Sequence, residues 1–386
     1  MKYLSVIFLF LLLSCSSKTN NEKNKEVRRV INVDYGVMAF SDIQKENNII
    51  IKKLEDCINS KEFIDYSKFW DKNDTLIFDY PYHDLYTTVN NNYPAYKPTV
   101  VGLQKIALDK YQIKIAVIGN PEGFFSLDYV YNVYAIKNDK GDFVFKNVIS
   151  DNLSKWKKIQ IDNITYYYSG ERILNYENID KQKKFETDLS IFLEQEKINY
   201  KYIICKNTNE IYSLLGYDYL DMMFYTKQIG GLAYSYQNIF FSGNDTEFYA
   251  HEVTHIYLNK KFPKIHSVID EGFATYKGGS MGLNYEKHIE LLQEYISTKE
   301  ISIGEYLFDE DKRHTIIGSK SSIMYSAGAF LCHLAYSKYG KEGLFKLLNS
   351  GESDESLKYT IENLFQIHFK EFDDFFTNEL EKNNYD

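Results

Sequence analysis

His251-Glu252-Val253-Thr254-His255 is the stretch on which the reading of this chain turns. Two histidines four apart on a helix project from one face, close enough to share a metal ion. Glu252 lies between them in sequence, where a carboxylate can take a proton from metal-bound water. With eight histidines in 386 residues, chance alone produces this pattern in roughly one chain per hundred of such composition. A third ligand is therefore needed, and Asp270-Glu271-Gly272-Phe273-Ala274-Thr275-Tyr276 follows closely enough to offer one.

Asn244 is expected to cap the helix that carries the two histidines, with Glu247 completing a capping-box pattern. Phe248, His251, Glu252, His255 and Leu258 then fall on or near one face, and Pro263 marks the end. A second helix spans Ile269–Tyr276 and stops at Gly278-Gly279. On it Asp270 and Glu271 face different directions, so only one can reach the metal. Downstream, helices are expected at Tyr285–Ser297, Tyr325–Tyr339 (stopped by Gly340), Leu344–Leu348, Asp354–Phe365 and Phe369–Glu381. Ile301–Leu307 reads as a short connection.

Upstream, Trp156–Tyr168 and Tyr200–Cys205 carry strand-type residues, and Asp180–Glu196 has helical spacing. Asn209–Leu215 reads as a helix closed by Gly216. Gly230–Tyr234 and the run after Asn238 read as two strands of a small sheet. In the first part of the chain Ile43–Ile58, Phe63–Trp70 and Gly102–Tyr111 read as helices. Ile113–Ile118, Phe124–Ile136 and Phe143–Val148 read as strands, with a hairpin at Lys140-Gly141. The fold class is α+β. The expected division is a leader at 1–14, a flexible tether at 15–30, an N-terminal α+β domain at 31–155 and a second domain at 156–386. By analogy of element order, the N-terminal domain is expected to be cystatin-like or nuclear-transport-factor-like.

A hydrophobic share of 44% against 26% charged residues is that of a globular chain with a substantial core. The net charge of −9 argues against a nucleic-acid partner, which needs a concentrated basic face. Lys18–Arg29 is basic but interrupted by Glu22 and Glu26, and reads as a solvated linker. The 35 tyrosines sit mostly beside Asn, Lys and Ile, so compositional bias accounts for them better than a special surface. Lys2 and the apolar run Leu4–Leu13 form an export leader too short to span a bilayer. Its end, Leu12-Leu13-Ser14-Cys15, resembles the lipobox of bacterial lipoproteins. That resemblance implies cleavage before Cys15, lipid on its sulfur and a membrane as partner in the cell envelope. Cys57, Cys205 and Cys332 cannot make a complete disulfide framework, and the last two read as small core residues. Cys332 and His333, adjacent on a helix, diverge by about 100° and make a poor catalytic pair. His83 reads as structural.

For a metzincin, Gly would stand at 258 and His at 261; Leu258 and Lys261 exclude that class, leaving His266 as a surface or loop residue. His-Glu-x-x-His followed by Asp-Glu-Gly-Phe-Ala-Thr-Tyr instead resembles the gluzincin metallopeptidases, particularly the bacterial peptidase-MA-like group. The resemblance covers the chain from roughly Tyr166 onward and leaves the region before Asp151 outside. It implies a zincin-type catalytic domain, a small mixed sheet with a mostly helical C-terminal half. It also implies Zn2+ held by His251, His255 and Glu271, with Glu252 as general base. Tyr325-Ser326-Ala327-Gly328-Ala329 resembles the Tyr-x-Lys-Gly-Ala segment of the aminopeptidase N type, with Ala327 in place of the lysine. It implies that Tyr325 donates to an oxyanion. Gly231, Leu232 and Ala233 occupy the place of the family's edge strand, which binds a peptide backbone by strand addition. The glutamate that holds a free amino terminus there is missing, which argues against a plain aminopeptidase. Thr275 is a candidate to hydrogen-bond a ligand histidine. The expected function is a membrane-anchored zinc peptidase with a peptide or protein substrate. The rival is an anchored, inactive peptidase-like binding module, against which the intact Glu252 counts.

Overall fold

The computed structural model describes residues 29–382, apart from 40–43, 61–66, 77–81, 91–92, 94, 121–122, 225–229, 300 and 319–320. The leader, Cys15 and nearly all of the expected tether lie outside the described residues, as does the first part of the Phe63–Trp70 helix.

The architecture is α+β. Helices α1 (Tyr35–Ala39), α2 (Gln44–Ile58) and α3 (His83–Asn90) accompany a first sheet. Its strands β1 (Asn32–Val33), β2 (Tyr96–Ala107), β3 (Lys110–Gly119), β4 (Ser126–Lys137) and β5 (Phe143–Asn147) lie in that order. Strand β3 buries Tyr111, Ile113, Ile115 and Val117, the period of two that a half-buried strand requires. Ile50, Leu54, Cys57 and Ile58 of α2 enter the same core at helical spacing. The expected hairpin at Lys140-Gly141 joins β4 to β5.

Gly102–Tyr111 is strand, not helix. Residues 102–107 pair with β3 (Gly102 opposite Lys114, Leu103 opposite Ile113), and Asp109 turns the hairpin with φ 58°. Leu103, Ile106 and Leu108 mimic helical spacing, but only Leu103 is buried. The β-branched Thr99-Val100-Val101 just before had already committed the chain to an extended course.

Next come α4 (Ile149–Leu153), β6 (Lys157–Ile161), β7 (Ile164–Tyr168), α5 (Tyr176–Leu193), β8 (Tyr200–Ile204) and α6 (Thr208–Leu215). They are followed by β9 (Tyr217–Leu220), β10 (Gly231–Tyr234) and β11 (Ile239–Ser242). The second sheet has the order β10-β11-β8-β7-β6. Parallel pairing of β7 with β8 requires a crossover, which α5 supplies. Strand β10 pairs antiparallel with β11 at the sheet's edge. Strand β9 leaves this sheet and pairs with β4 of the first.

Alternation along β8 and β11 divides the second sheet between two cores. Tyr202, Ile204 and Phe240 face the helices that follow, while Ile203, Ile239 and Phe241 join Cys205 in the core of the first sheet. Cys57, Cys205 and Cys332 are all buried and unpaired as thiols.

The remaining chain is helical: α7 (Ala250–Lys261), α8 (Ser267–Gly278), α9 (Tyr285–Thr298) and α10 (Ile303–Phe308), then α11 (Ile323–Leu348), α12 (Asp354–Phe365) and α13 (Phe372–Lys382). The two-residue strands β12 (Ile316–Ile317) and β13 (Ser321–Ser322) pair just ahead of α11. The Ile301–Leu307 stretch, expected as a connection, contains α10. Ser302 caps it by accepting from the Glu305 N–H, and Ile303 and Leu307 are buried one turn apart. Gly340, at φ 63°, interrupts α11 where the helix was expected to stop. Helices α8 and α11 cross with almost no separation. A Cβ on Gly272 would fall 2.3 Å from the Gly328 carbonyl carbon. This contact fixes the height of Glu271, its neighbour.

Candidate metal centre

Helix α7 begins at Ala250, later than the capping pattern implies. Asn244 Oδ1 accepts instead from the Gly230 N–H at 2.9 Å, and Glu247 Oε1 takes Arg172 Nε at 3.0 Å and the Asn175 N–H at 3.1 Å. The expected cap residues thus tie the preceding loop to the second sheet. Every residue from Ala250 to Leu258 is buried, so His251, Glu252 and His255 need partners to offset their desolvation.

The partners orient both rings. His251 Nδ1 is 2.8 Å from the Gly279 carbonyl, which can only accept, so Nδ1 carries the hydrogen. His255 Nδ1 is 2.9 Å from Asp270 Oδ1, whose other oxygen accepts from Asn259 Nδ2 at 3.2 Å. In the neutral rings this leaves both Nε2 lone pairs turned inward, 3.2 Å apart. Glu271 Oε2 completes a triangle at 3.2 Å from His251 Nε2 and 3.6 Å from His255 Nε2. A tetrahedral ion with bonds of about 2.0–2.1 Å holds its ligand atoms about 3.3 Å apart. The three side chains therefore fit a divalent metal of the zinc type.

The charges of the cluster offset one another's burial. Burial raises the Glu271 carboxyl, but His255 and His251 outweigh it and hold the group well below the usual carboxylate range. Burial lowers His255, but Asp270 and Glu271 outweigh that and lift it well above an ordinary imidazole. Glu252 is raised chiefly by burial, against the pull of the two histidines.

Glu252 is packed beneath the edge strand. A Cβ on Gly231 would lie 2.5 Å from Glu252 Oε1 and 2.5 Å from the Tyr249 ring, so only glycine lets the backbone pass over that carboxylate. Leu232 and Ala233 continue along β10, whose outer edge no strand pairs among the described residues. The Tyr325 ring stands perpendicular to that of His251 at 6.1 Å between centroids. Burial, then Glu271 and Glu252, push its phenol well above the ordinary range.

The structure thus brings His251, Glu252, His255, Glu271, Gly231 and Tyr325 together. Asp270 orients a ring instead of facing the triangle. Thr275 makes no hydrogen bond to either histidine; Gly279 and Asp270 take that part. His266 is not at the surface. It is 2% exposed, caps α8 through Nδ1, and reaches Asp354 Oδ1 at 2.9 Å through Nε2. His83 lies in α3, its ring 6.1 Å from that of Tyr234. Sequence reasoning missed Tyr249, Asn259 and Gly279. Asn259, one turn after His255, was visible as a same-face polar partner; Gly279 acts through its backbone and leaves no side-chain signal. No protein-family model matches the chain, and no curated protein matches it.

Proposed function

We propose that this protein is a zinc-dependent peptidase of the gluzincin kind, with a zincin-type second half, held at a membrane surface of the bacterial envelope by lipid on Cys15. The observation that carries the reading is the triangle of His251 Nε2, His255 Nε2 and Glu271 Oε2 at 3.2–3.6 Å, with both Nδ1 atoms committed elsewhere. His251, His255 and Glu271 would hold the ion; when bound, it supplies a Lewis acid and lowers the pKa of water in its open position. Glu252, desolvated at the foot of β10, is suited to take the proton of the attacking water and pass it to the leaving amine. The Tyr325 phenol, which stays protonated, is suited to donate to the oxyanion that develops on the scissile carbonyl. The open edge of β10 offers backbone groups to an extended peptide.

The test is hydrolysis of a peptide library by the intact protein and by Glu252→Gln, with metal analysis of both. The expected result is about one zinc per chain in each and cleavage by the wild type only. Equal cleavage by both overturns the role of Glu252. Zinc binding with no cleavage by either turns the reading to an anchored binding module.

A further inference from the structure

His288, on α9, has no part in the proposed chemistry, yet it is completely buried among polar partners. Its Nε2 is 3.1 Å from the Ser280 carbonyl. A carbonyl only accepts, so Nε2 carries the hydrogen and Nδ1 is left as the acceptor. Ser321 Oγ, 2.5 Å from Nδ1, therefore donates to it, and Ser326 Oγ, 2.7 Å from Ser321, donates in turn. The result is a directed chain, Ser326 to Ser321 to His288 to the Ser280 carbonyl. It crosses from the helix bearing Tyr325 to the turn that follows α8.

Both ends abut the candidate centre. Ser280 follows Gly279, whose carbonyl orients His251. Ser326 follows Tyr325, and Ser322, next to Ser321, caps α11 by accepting from the Tyr325 N–H at 3.3 Å. One buried imidazole thus spans the support of a metal ligand and the support of the phenol across from it. Replacing all three side chains by apolar groups of similar volume would avoid burying an imidazole and two hydroxyls. What the polar chain adds is directionality, because each bond fixes the orientation of the next group.

We propose that His288 is a positioning residue that sets the Tyr325 ring relative to His251. Its effect on turnover rests on the peptidase reading, through the role given to Tyr325; its effect on the position of Tyr325 does not.

The experiment compares wild type, His288→Phe, His288→Gln, Tyr325→Phe and the His288→Phe/Tyr325→Phe double variant, all as zinc-loaded intact chains. His288→Phe should keep wild-type zinc stoichiometry and lose about tenfold or more in kcat with KM within about twofold. The double variant should lose no more than Tyr325→Phe alone, since residues acting as a unit are non-additive. His288→Gln, which restores a donor near the Nε2 position, should recover part of the loss. Affinity for a peptidyl phosphonate, measured by calorimetry, should fall in step with kcat. A crystal structure of His288→Phe should show the Tyr325–His251 ring separation moved from 6.1 Å. An unchanged separation overturns the inference whether or not the wild type cleaves peptides, as does a loss that multiplies with that of Tyr325→Phe. A shifted ring in a protein that cleaves nothing sustains the inference and sinks the peptidase reading alone.

Discussion

Asp270 Oδ1 lies 2.9 Å from His255 Nδ1, while the next residue, Glu271, turns its carboxylate to the other nitrogen of the same ring. Consecutive acids on α8 therefore grip one imidazole from both sides. Asp270→Ala removes no ligand, yet it frees the ring and its tautomer. We expect zinc affinity to fall about 10–100-fold, read by competition with a chromogenic chelator. Wild-type affinity in that variant would show that Asp270 does not orient the ligand.

Zinc binding should be coupled to proton release. In the metal-free protein His255 is lifted well above 6.5, chiefly by Asp270 and Glu271 working against burial. A metal needs the lone pair which that proton occupies. Affinity is therefore full above the raised pKa and declines as pH falls through it, starting at a higher pH than for an ordinary histidine. Calorimetry at pH 7 in buffers of unlike ionisation enthalpy should report net proton release on zinc binding. Zero release contradicts this.

His288 carries the opposite shift. Burial pushes it down to about 4 from 6.5. Between those values the unfolded chain binds a proton that the folded chain refuses, so stability is complete above pH 6.5 and is lost as pH falls towards 4. The ceiling is about 3 kcal/mol for a shift of this size. Urea denaturation between pH 7 and 4 should steepen over this window in the wild type and flatten in His288→Phe. Parallel profiles for the two proteins would be the contrary result.

Gly272→Ala tests the crossing of α8 and α11. The added Cβ meets backbone of Gly328, which cannot rotate away. A loss of about 1–3 kcal/mol is expected from overpacking, measured by chemical denaturation. Because Glu271 is adjacent, zinc affinity should fall as well. A variant with unchanged stability would mean the helices separate freely.

Most of the second half was legible because its signals are local. Gly216, the Tyr200–Ile204 run and the periodicity of α8, α9 and α12 each depend on neighbours within a few turns. His251 and His255 were legible as a pair because they stand at helical spacing, whereas spacing left Glu271 open against Asp270 and only the resemblance singled it out. What escaped depends on contacts distant in sequence. Asn244 and Glu247 have the spacing of a cap, but Gly230 and Arg172 compete for their oxygens and win. Leu103, Ile106 and Leu108 have the spacing of a helix, but pairing to β3 overrides it. His266 looked like a loop residue because Asp354, its partner, lies far along the chain.

The two-faced second sheet has a consequence for anyone who shortens this chain. A fragment beginning at residue 156 would keep every residue of the candidate centre. It would also open the core that Ile203, Cys205, Ile239 and Phe241 share with residues of the first sheet, leaving an apolar patch that α6 covers only in part. Such an apolar patch on a free fragment favours self-association. The first half thus completes the cover of the second sheet, and the excised half is expected to self-associate more than the intact chain.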